Sequence, residues 1–67
     1  MRGKGIRGGH VTVRHYPTGI DIAVSIRHLS IVRDWSEYND EDGVYDSPAL
    51  VEPQLWLQLP GAFVEAR

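Results

Sequence analysis

The sequence predicts a mainly β fold: a small single-domain antiparallel sheet or SH3-like half-barrel, with an acidic loop and at most one short helical turn. Three observations carry that prediction. Residues 11–16 alternate apolar and polar side chains, residues 20–26 do so again, and the Pro17-Thr18-Gly19 between them suits a tight turn. Length sets the frame. Sixty-seven residues, 42% apolar and 24% charged, make one ordinary small domain, and so short a chain buries only about 60% of its unfolded surface. Marginal stability, helped by a partner or by self-association, is expected.

The chain opens on a glycine-rich basic stretch. Residues 1–9 hold four glycines, Arg2, Lys4 and Arg7, with Ile6 alone to bury, so they are expected to form a flexible basic arm ahead of a domain at 10–67. Val11, Val13 and His15 then share one face of a strand from His10 to Tyr16, with Thr12, Arg14 and Tyr16 on the other. Beyond the turn, Ile20, Ile22, Val24 and Ile26 give the clearest period of two in the chain. At His28-Leu29 the phase slips by one residue, which requires a bulge, a bend or a new strand over Leu29–Asp34. A last strand is expected at Gln54–Leu59, at an edge because Pro53 and Pro60 bound it. Short helical turns fit at Ser36–Tyr38 and after Pro48. The expected core is Val11, Val13, Ile20, Ile22, Val24, Ile26, Ile31, Leu55, Leu57 and one or both tryptophans.

Charge is segregated along the chain. Residues 1–33 carry six basic side chains and one acid, a net of +5, while residues 34–67 carry eight acids and Arg67, a net of −7. Asp34, Glu37, Asp40, Glu41, Asp42 and Asp46 fall within thirteen positions that contain no basic residue, interrupted by Trp35, Tyr38 and Tyr45. With turn formers at Asn39, Asp40, Asp42 and Gly43, this stretch reads as an exposed acidic loop.

Several chemistries are not expected. No cysteine is present, so there is no disulfide framework or thiolate metal site, and a reducing cytoplasmic setting fits best. No apolar run reaches the roughly 18 residues of a membrane span, and no apolar block follows the basic start as in a signal peptide. The histidines lack metal-ligand spacing: His10 and His15 fall on opposite faces of a regular strand, and His28 reads as a half-buried residue satisfied by backbone groups. Asn39–Gly43 with Asp46 matches part of a calcium loop, but Tyr38 would hold the first ligand position and Ala49 the twelfth. Neither metal nor cofactor is therefore expected. No serine has the setting of a nucleophile, and a core this small is not expected to hold a pocket of a few hundred Å3, so catalysis is not expected either.

Binding remains. The leading expectation is a small non-enzymatic protein-binding module, an accessory protein or inhibitor of viral or mobile-element type. It would use Trp35, Glu37, Tyr38, Asp40, Glu41, Asp42, Tyr45 and Asp46 on a partner with a basic, nucleic-acid-handling surface. The alternative is a nucleic-acid-binding β domain that places Arg2, Lys4, Arg7, Arg14 and Arg27 on phosphates. The net charge of −2 weighs against that alternative.

Overall fold

Alternation at 11–15 and 20–24 builds the centre of the molecule. In the computed structural model, which describes residues 9–65, β1 (His10–His15) and β2 (Ile20–Ser25) pair antiparallel, with Val13 opposite Ile22 and Val11 opposite Val24. The predicted arm lies outside the described residues except for Gly9, whose carbonyl accepts from Ile26 N at 2.8 Å. A 3-10 turn, Ile26–His28, leads into α1 (Leu29–Trp35), followed by β3 (Glu37–Asn39), β4 (Val44–Ser47), α2 (Pro53–Trp56) and β5 (Phe63–Val64). The five strands form one sheet in the order β3-β4-β1-β2-β5. Mainly β, small and single-domain is what the sequence led us to expect. The sheet is nevertheless mixed, because β4 lies parallel to β1 with Tyr45 beside Val13 and Ser47 beside His15.

The core lies on one face of this sheet. Val11, Val13, Ile22 and Val24 meet Val32 of α1 and Trp56 of α2, and Ile20, Leu29, Tyr45, Val51 and Leu59 pack around them. Fully burying each large apolar side chain contributes about 1.5–3 kcal/mol. The opposite face carries polar pairs. Arg14 donates to both carboxylate oxygens of its cross-strand neighbour Asp21, at 2.7 and 3.0 Å, and Thr12 Oγ1 donates to Glu65 Oε2 at 2.9 Å.

Two predicted strands are helical. Leu29–Asp34 falls within α1, and the phase slip at His28-Leu29 marks a change of period from 2 to 3.6. Ser25 accepts a hydrogen bond from Arg27 N and ends β2, after which Leu29 and Val32 face the core one turn apart. Ile26 consequently lies outside the sheet and 41% exposed, and Ile31 is only half-buried. Gln54–Leu59 is α2 and its following turns: Pro53 occupies the first turn, where its fixed φ and missing N–H suit a helix start. The expected parity there inverts. Leu55 and Leu57 are exposed, whereas Trp56 is wholly buried and donates its indole N–H to Ser47 Oγ at 2.8 Å. After Pro48 there is a turn closed by Val51 N donating to the Pro48 carbonyl, while Ser36–Tyr38 leads into β3 rather than into a helical turn.

Candidate interaction surface

The acidic stretch is a β-hairpin rather than an irregular loop. Glu37, Tyr38 and Asn39 pair with Asp46, Tyr45 and Val44. Asn39 shapes the turn between them: its Oδ1 accepts from Glu41 N at 3.0 Å and Asp42 N at 3.3 Å, and its carbonyl accepts from Gly43 N at 2.8 Å. Gly43 closes the turn at φ 72°, a conformation that glycine adopts without steric cost. These are the turn formers that made the segment read as a loop.

The hairpin sorts the eight predicted residues into two groups. Trp35, Glu37, Tyr38, Asp40 and Glu41 are exposed, and the carboxylates of Glu37, Asp40 and Glu41 have no ion-pair partner among the described residues. Tyr38 is 57% exposed and its ring lies 4.9 Å from that of Tyr45; Trp35 is 39% exposed and meets Trp56 edge to face at 5.4 Å. Asp42, Tyr45 and Asp46 have work inside the fold. Asp42 Oδ2 accepts from Tyr16 Oη at 2.9 Å and lies 3.7 Å from an Arg14 nitrogen, which ties the hairpin tip to the end of β1. That bond holds the Tyr16 phenol above its ordinary pKa, and Arg14 is raised too, chiefly by Asp21. Tyr45 is half-buried against the core, and Asp46 Oδ2 accepts from Asn39 Nδ2 at 3.3 Å. Asp46 Oδ1 is buried and lacks a hydrogen-bond donor among the described residues.

At the base of the hairpin an open groove of about 400 Å3 runs between the end of α1 and the end of β4. Trp35 and Pro48 line it together with the carboxyl-bearing Asp34, Glu37 and Asp46 and the hydroxyls of Ser36 and Ser47. Asp34, Ser36, Ser47 and Pro48 were not among the predicted site residues. Asp34 was visible as part of the acidic run, but Ser47 and Pro48 arrive through the β3–β4 pairing, which sets Glu37 opposite Asp46 and the residues beyond it beside Ser36 and Trp35.

A second open groove, about 550 Å3, lies beside His15, Ile20, Ala49, Glu52, Pro53 and Leu57. Its histidine is buried, with Nδ1 2.9 Å from Thr18 Oγ1 and Nε2 3.5 Å from the Ala49 carbonyl. Clefts of several hundred Å3 therefore exist, contrary to the expectation from chain length; they are open furrows formed where the short helices meet the sheet. Elsewhere, His10 stacks edge-on against Phe63 at 5.3 Å, and His28 keeps a buried Nε2 without a partner among the described residues, so backbone groups do not satisfy it as expected. Among the described residues no three His, Asp or Glu side chains converge closely enough to hold a metal ion, and no helix is long and apolar enough to cross a membrane.

Of the nucleic-acid set, Arg14 and Arg27 fall among the described residues. Arg2, Lys4 and Arg7 lie outside the described residues, Arg14 is taken up by Asp21, and Arg27 is exposed on the 3-10 turn. No family model, curated protein or solved structure matches the chain.

Proposed function

We propose that this chain is a small non-enzymatic protein-binding module that presents the β3–β4 hairpin to a partner with a basic surface, as an intracellular accessory protein or inhibitor. One observation supports this reading above the others: exposed aromatic rings stand among carboxylates that have no ion-pair partner among the described residues. Trp35 and Tyr38 keep 39% and 57% of their surface in water, and Glu37, Asp40 and Glu41 beside them are exposed too. Carboxylates of this kind steer encounter with a cationic surface, and desolvating the aromatic rings supplies the short-range anchor.

A fluorescently labelled basic peptide titrated at low and high salt tests the reading. Binding is expected to weaken with salt and to perturb amides at 35–46. Reversing Asp40 and Glu41 to Lys is expected to slow association, and Trp35→Ala or Tyr38→Ala to speed dissociation, about tenfold each. Wild-type kinetics for all of these folded variants would reduce the hairpin to solvated surface.

A further inference from the structure

The groove beside α1 offers a narrower chemistry than the hairpin as a whole. Its hydroxyl hydrogens are already committed: Ser36 Oγ donates to the Val32 carbonyl, and Ser47 Oγ donates to the Val51 carbonyl at 2.7 Å while accepting from Trp56. What the side chains still offer is acceptor capacity, from Asp34 and Glu37, which are exposed and have no partner among the described residues. Asp46 adds a half-buried charge only partly compensated by Asn39. A ligand that carries donors and positive charge but no acceptor suits such a lining. The carboxylates do not converge on one point, which disfavours a compact metal ion. A planar fork with five N–H groups spans separated acceptors, and its face stacks on an aromatic ring, whereas an ammonium concentrates its charge at one point.

We infer that the groove is an arginine subsite: a guanidinium of the basic partner enters between Trp35 and Pro48, stacks on the Trp35 ring and donates to Asp34 and Glu37. This rests on the protein-binding reading and adds to it the identity of the residue that is read. Charge-assisted bonds from a planar cation to carboxylates, reinforced by stacking, are among the stronger polar contacts available at a surface.

The test uses three peptides of equal length, the cationic positions of which are all arginine, all lysine or all glutamine. Their affinities for the full chain are measured with amide and indole chemical shifts recorded alongside. The arginine peptide is expected to bind about tenfold more tightly than the lysine peptide and to shift the Trp35 indole N–H and the amides of Ser36 and Ser47. Asp34→Asn and Glu37→Gln, both exposed substitutions that leave the fold intact, are expected to remove most of that preference. Asp40→Asn, at the far end of the hairpin, is expected to weaken both cationic peptides equally. Equal affinity for arginine and lysine, or a preference untouched by Asp34→Asn and Glu37→Gln, would overturn the subsite and leave the hairpin reading standing. No binding by either cationic peptide at low salt would overturn both.

Discussion

The two hairpins share one turn design and put it to different uses. In β1–β2 the His15 carbonyl accepts from Gly19 N at 2.7 Å, and in β3–β4 the Asn39 carbonyl accepts from Gly43 N at 2.8 Å. Each loop ends on a glycine at positive φ, 75° and 72° respectively. Beyond the turns they diverge. The first hairpin supplies Val11, Val13, Ile22 and Val24 to the core and neutralises its charge internally through Arg14 and Asp21. The second, at the sheet's edge, contributes Val44 and part of Tyr45 to the interior and turns Glu37, Tyr38, Asp40 and Glu41 outward. An edge strand of three residues surrounded by carboxylates also resists pairing with a copy of itself. The difference teaches that hairpin geometry is local, whereas the division into buried scaffold and exposed acidic surface depends on which strand reaches the sheet centre.

That contrast is most easily broken in the core. Ile22→Ala empties a fully buried site, and a loss of about 2–5 kcal/mol is expected, enough to unfold most of so small a domain. Tyr38→Ala, on the exposed hairpin, is expected to cost about 1 kcal/mol through the lost ring pair with Tyr45. Urea denaturation followed by tryptophan fluorescence compares them directly, and equal losses would deny that the first hairpin is the scaffold.

Gly19→Ala and Gly43→Ala sharpen the shared part of the design. An added Cβ meets nothing within 4 Å at either position, so the expected penalty of about 1–2 kcal/mol comes from the left-handed backbone alone and is similar in both hairpins. A markedly smaller effect at Gly43 would show that the acidic turn relaxes where the buried hairpin does not.

The smallest effect concerns pH. Tyr16 is raised by its bond to Asp42, so the protonated phenol is the form the fold prefers. The stabilisation is present below the unfolded tyrosine pKa near 10 and is lost as pH rises through the higher folded value, where a phenolate would face a carboxylate. Amide exchange at residues 40–43 is expected to quicken over that alkaline range in the wild type and to lose this step in Tyr16→Phe.

Sequence by itself determined the β1–β2 hairpin, because alternation of apolar residues on either side of Pro17-Thr18-Gly19 has one low-energy reading. It also determined which segment concentrates the acids, since charge is a property of composition. It did not determine the helices. Leu29–Trp35 and Pro53–Trp56 are short segments whose few apolar residues fit either period, and the choice fell to tertiary packing: the sheet face exposed by Ile22 and Val24 is covered by Val32 and Trp56 presented from helical backbone. The site was legible to the same degree. The acids and aromatic rings were apparent as a set, yet the groove that brings Trp35 and Asp34 beside Ser47 and Pro48 follows from the β3–β4 register, Glu37 opposite Asp46 at the end of α1, a pairing that leaves no periodic trace in a stretch rich in turn formers.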